Sequence, residues 1–147
     1  MKKNPILFVL SLSLLFSAPL RAQNTLSVAN IEASAGKTIM VPVGMSNADE
    51  IVAAQFDIAL PYALDGDMVL TNRGNGHTVS CRSLGNNVYT VIVVSMEGKT
   101  LRGNDGTLVT IPIKVDPAAV EGDYAYITLT NAVLAKRDGS NACTGTA

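Results

Sequence analysis

Ile51-Val52-Ala53-Ala54-Gln55-Phe56-Asp57-Ile58-Ala59-Leu60-Pro61 decides the fold class of this chain. Ala54, Phe56, Ile58 and Leu60 alternate with Ala53, Gln55, Asp57 and Ala59, the period-two pattern of a strand with one buried face. The pattern returns at Val109, Ile111, Ile113 and Val115, with Thr110, Pro112 and Lys114 between them. Helical spacing is scarce, and Asp116 to Gly122, opening with Asp-Pro, offers one helical turn or a loop. The reading is an all-β domain.

Gly, Pro, Asn and Asp punctuate the rest of the chain into strands. Four are expected near 26–33, 38–45, 52–60 and 68–71, ahead of the turn Arg73-Gly74-Asn75-Gly76. Four more follow near 78–84, 88–96, 107–115 and 124–130, and a last one near 133–136. Nine short strands make a sandwich or barrel. Gly85-Asn86-Asn87 joins two of them as a hairpin, because Gly and Asn tolerate the positive φ such turns require. The inward positions give an aliphatic core that includes Val28, Ile39, Val41, Val43, Phe56, Ile58, Val79, Val109, Ile111, Ile127 and Leu129. The segment Val88-Tyr89-Thr90-Val91-Ile92-Val93-Val94-Ser95-Met96 is apolar on both faces. Either long neighbouring side chains cover its outer face or that face is a docking stripe.

Residues 1–22 read as a secretory signal peptide: Lys2 and Lys3, an apolar run from Ile6 to Phe16, and a small-residue exit at Ala22. That run is shorter than the roughly 20 residues of a membrane span, and no later segment replaces it. Residues 23–147 then form one domain, large enough for a single core. Losing Lys2, Lys3 and Arg21 leaves eight basic residues against twelve acidic ones, a net charge of −4. The basic residues are scattered, so nucleic acid is not an expected partner. Export makes a Cys81–Cys143 disulfide possible, but Cys81 also reads as a small buried apolar residue and Cys143 lies in a Gly/Thr/Asn-rich tail that reads as frayed.

The residues capable of chemistry are dispersed. His77 is the only histidine, sits in a Gly/Asn-rich turn and reads as solvated. A zinc site would have to gather His77, Cys81 and Cys143 from distant places, and Ser80 lies on a plain alternating strand without a nucleophile turn. The carboxylates at Asp49-Glu50, Asp65-Gly66-Asp67 and Glu121-Gly122-Asp123 read as turn formers. No catalytic residue, metal or cofactor is expected. Tyr124 and Tyr126 alternate with Ala125 and Ile127 and are expected to point outward from a strand, where tyrosines bind glycan or protein, or simply pack on neighbouring strands.

The order of segments resembles a cohesin domain. The pieces that carry the likeness are Thr38-Ile39-Met40-Val41-Pro42-Val43 after Ala35-Gly36, Ile51 to Leu60, Gly106 to Val115, and Gly122-Asp123-Tyr124 to Leu134. The resemblance implies a non-catalytic, nine-stranded jelly-roll sandwich whose strands 8, 3, 6 and 5 present a flat face to a dockerin module. On this chain that face would draw on Gln55 and Asp57, on outward residues among Tyr89, Val91 and Val93, and on Tyr126. Where such domains tend to carry Asn and Asp early in the third strand, this chain has Ala53 and Gln55. The expected function is an exported protein-recognition module of a polysaccharide-handling system, in the periplasm or at the cell surface. The alternatives are a carbohydrate-binding module that uses the tyrosines, and a structural envelope protein that self-associates through its edge strands.

Overall fold

Alternating residues set the strands of the computed structural model, which describes residues 23–147. The leader expected at 1–22 lies outside the described residues. β1 is Thr25–Val28, β2 Thr38–Ser46, β3 Ala53–Ala59, β4 Val69–Leu70 and β5 Thr78–Gly85. β6 is Val88–Val94, β7 Thr107–Lys114, β8 Thr128–Ala135 and β9 Gly145–Thr146. They form two sheets, of order β4-β7-β2-β1-β9 and β5-β6-β3-β8. Among the described residues the only helical element is one 3-10 turn, Asn72–Gly74.

The strand count matches the expectation, but two of its parts differ. The strands expected at 124–130 and 133–136 are one continuous β8, bent where its pairing with β3 shifts register between Gln55 and Asp57. The ninth strand is β9, in the tail read as frayed, which pairs parallel with β1 as Thr25↔Gly145 and Leu26↔Thr146.

The core fills the space between the sheets with Leu26, Val41, Val43, Phe56, Ile58, Val91, Val93, Leu108, Ile111 and Leu134, all fully buried. Val28, Ile39, Val79 and Ile127 are only partly buried and pack on its rim. Leu101 and Ile51 lock a loop onto it through Leu101 N–H donating to Ile51 O at 2.8 Å.

Buried and half-buried polar side chains pin the loops. Asn24 Oδ1 accepts from the Ala48 and Asp49 amides at 2.9 and 3.1 Å, while its Nδ2 donates to Asp49 Oδ2 and Ala142 O. Arg73, beside the 3-10 turn, donates to Met45 O, Gly106 O, Arg102 O and Asn47 Oδ1. This ties the end of β2 to the start of β7. Burial pulls the Arg73 guanidinium below its ordinary range, and Asp105 opposes that pull.

His77 corrects the expectation of a solvated ring: it is 8% exposed, with Nδ1 against Gly74 O and Nε2 against Val52 O at 2.8 Å. The turn folds it inward because Asn75 (φ 47°) and Gly76 (φ 81°) reverse the chain.

Candidate functional site

The outer face of β5-β6-β3-β8 is built from aligned cross-strand rows. One row reads Ser80, Ile92, Gln55, Val133, and the next reads Arg82, Thr90, Asp57, Thr130. A third, toward one end, is Thr78, Val94, Ala53, Ala135. Ile92 and Val94 stand 38% and 37% exposed, an apolar strip beside a polar centre. Asp57 forms that centre. Its Oδ1 accepts from Thr90 Oγ1 at 2.6 Å and its Oδ2 from Asn131 Nδ2 at 2.7 Å. The Asn131 hydrogen bond, then that of Thr90, holds the Asp57 carboxyl below the usual carboxylate range. The face thus combines an oriented carboxylate, one guanidinium at Arg82 and flat aliphatic area.

Gln55 and Asp57 do lie on the outer face of β3. Val91 and Val93 do not, and their expected outward orientation is corrected: both are fully buried, packed against the core side of β3 through Phe56↔Val91 and Ala54↔Val93. Tyr89 shares their parity and packs half-buried on the core rim. Tyr126 is exposed at 82%, but it lies in the loop before β8 and not on the sheet, as does Tyr124 at 88%. The residues that sequence reasoning missed are Ile92, Val94, Thr90 and Asn131. The hairpin register would reveal the first three, except that Leu84 is an extra residue in the β5–β6 ladder, with Ser83↔Tyr89 followed by Gly85↔Val88. Simple counting from Asn86-Asn87 therefore gives the inverted parity.

Cys81 and Cys143 are both unpaired. Cys81 is on β5 and Cys143 beside β8, at opposite sides of the four-stranded sheet. At least three strand spacings separate them, more than roughly 14 Å, beyond the reach of a disulfide. A shallow polar depression of about 420 Å³ is lined by Thr71, Asn72, Asn75, Gly76, Lys99 and Arg102, with Lys99 paired to Glu97. That lining offers no nucleophile and base in contact. Among the described residues no three His, Cys, Asp or Glu side chains gather as a metal site, and no helix is long and apolar enough to cross a membrane.

Residues 24–147 match the family model described as Cohesin domain. No curated protein matches the chain. Among solved structures, the chain resembles the cohesin of a type I cohesin–dockerin complex from Clostridium thermocellum at 18% identity and a TM-score of 0.72, covering 84% of this chain and 94% of that one. The cohesin CaCohA2 from Clostridium acetobutylicum matches at 16% identity and a TM-score of 0.68, over 84% of this chain and 86% of that one. A non-cellulosomal cohesin from the archaeon Archaeoglobus fulgidus matches at 22% identity and a TM-score of 0.67, over 85% and 86%.

Proposed function

The chain belongs to the cohesin domain family, and from that premise we propose that it is a non-catalytic receptor that docks a dockerin-type protein module on the outer face of β5-β6-β3-β8. The observation that carries this reading is the composition of that face: exposed Ile92 and Val94 form a strip beside an Asp57 carboxylate already fixed by Thr90 and Asn131. Apolar area supplies the association energy, at about 25 cal/mol per Å² before the costs of immobilisation. The preset carboxylate supplies register, because its partner pays little to order it. Family structures solved with dockerins support the class of partner. The leader pattern at 1–22 supports export, and with it a place in extracellular or envelope polysaccharide handling.

Calorimetric titration with a panel of recombinant dockerin modules tests the proposal. Saturable binding that Ile92→Asp abolishes, with the fold unchanged by circular dichroism, is the expected result. Absence of binding to every dockerin, together with no protein captured from the native envelope fraction, would overturn it.

A second reading rests on Tyr124 and Tyr126, both more than four-fifths exposed in one loop. Two free phenol rings two residues apart fit the apolar face of a sugar. Glycan-array binding lost in Tyr126→Ala but kept in Ile92→Asp would support a carbohydrate site separate from the docking face.

A further inference from the structure

A sheet edge presents unpaired backbone N–H and C=O groups to any passing strand, and folds blunt such edges by shortening or covering them. Three of the four edges here are treated that way. β4 and β9 have two residues each. β8 is lined by the returning chain, with Lys136 N–H donating to Ser140 O, Ala142 N–H to Leu134 O and Leu134 N–H to Asn141 Oδ1.

β5 is left open. It is the terminal strand of the four-stranded sheet, eight residues long with seven of them exposed. Among the described residues, no backbone hydrogen bond joins 78–84 to any segment but β6. The strand contains no proline, and its one charge is Arg82.

We propose that β5 is a self-association strand, pairing antiparallel with β5 of a second copy to give one continuous eight-stranded sheet. A two-fold axis normal to the sheet keeps inner face beside inner face, so the pairing must centre on a residue. Centring on Arg82 sets two guanidinium groups opposite each other, which is unfavourable. Centring on Ser80 leaves Ser83 and Leu84 without partners. Centring on Cys81 pairs Thr78 with Leu84, Val79 with Ser83 and Ser80 with Arg82, and stops at the register shift before Gly85.

This last register opposes no like charges. It also brings the exposed Leu84 opposite β-branched Thr78 at each end of the ladder. That self-matching is why the occupant is a second copy and not a foreign strand. The outer faces of both copies stay open and lie side by side, so the pairing stands independently of the dockerin reading.

Sedimentation equilibrium of the purified protein tests it. Ser80→Glu sets a carboxylate opposite Arg82 twice per dimer and is expected to tighten dimerisation by roughly two- to thirty-fold, the range for two cross-strand charge pairs. Ser80→Arg is expected to weaken it by a comparable factor. Ser80 and Arg82 are both exposed, so neither variant burdens the fold. In a Cys143→Ser background, diamide oxidation is expected to link Cys81 to Cys81, since directly opposed residues lie within about 5.5 Å at Cβ. A protein monomeric up to millimolar concentration, or a dimer indifferent to both charge variants, would overturn the proposal. Neither result bears on loss of dockerin binding by Ile92→Asp, which reads the other reading separately.

Discussion

Asn131 Nδ2 donates to Asp57 Oδ2 at 2.7 Å from a left-handed backbone conformation, φ 51°. The irregularity that bends β8 and the carboxylate at the centre of the proposed docking face are therefore one device. Asn is among the few residues that tolerate such a φ while offering a side-chain donor. Asn131→Gly keeps the backbone and loses the donor. The expected outcome is a stable fold with weakened dockerin capture, by about tenfold for one hydrogen bond to a charged group, measured calorimetrically against Asn131→Asp, which sets like charges together and weakens capture further.

The same bonds make stability depend on acid. The Asp57 carboxyl is lowered in the folded state by Asn131 and then Thr90. The stabilisation is therefore present above the unfolded value near 3.9 and is lost as pH falls through the lowered folded value. Thr90→Val with Asn131→Gly is expected to flatten that limb of the stability curve below about pH 4, read by urea unfolding at stepped pH. An unchanged acid limb would show that Asp57 carries no such linkage.

Val91 and Ile92 are adjacent and face opposite ways, which separates fold from function. Val91→Asp buries an unpaired charge in the core and is expected to cost more than about 4 kcal/mol. Ile92→Asp places the charge on the exposed face and is expected to cost under about 1 kcal/mol and to block the proposed docking. Chemical denaturation and calorimetry on the two variants give opposite patterns if the parity is right. Loss of stability in Ile92→Asp equal to that in Val91→Asp would contradict it.

How far the fold was legible follows from that pair. β3 and β7 announced themselves because each alternates cleanly, and Gln55 and Asp57 followed from their parity. β6 is β-branched or aromatic at nearly every position, so its own sequence holds no parity signal, and the extra Leu84 in the adjoining ladder removes the register that the hairpin would lend. β9 carries no hydrophobic pattern at all, since Gly145 and Thr146 are held by backbone bonds to β1. His77 read as a surface residue because its turn is Gly- and Asn-rich, yet those residues supply the positive φ that folds the ring inward.

Arg73 spans the join between β2, β7 and the 3-10 turn by donating to Arg102 O, Met45 O and Gly106 O, the last of which also accepts from Met45 N–H at 2.9 Å. Arg73→Met keeps much of the stem and removes every such donor. A loss of about 3 kcal/mol is expected, from the charged donor withdrawn from Met45 O, Arg102 O, Gly106 O and Asn47 Oδ1, and dockerin capture is expected to persist in the folded fraction. Thermal unfolding monitored with binding checks both halves.

His77→Ala leaves Gly74 O and Val52 O without their ring partners and opens a void under the turn. A cost of about 2–3 kcal/mol is expected, with no effect on capture once stability is restored by lower temperature. Lost capture in the folded variant would give the ring a role at the docking face.

Asn24 and Thr144, 120 positions apart, hold each other through Thr144 N–H to Asn24 O at 2.8 Å and a reciprocal bond to the threonine hydroxyl. Because β1 and β9 run parallel, tension applied before Asn24 and after Ala147 slides the two strands lengthwise past each other. The bonds of Asn24, Leu26 and Val28 to the closing segment then carry the load at once and fail together. A tethered partner pulling through this domain meets a clamp, where an antiparallel terminal pair would have opened like a zip.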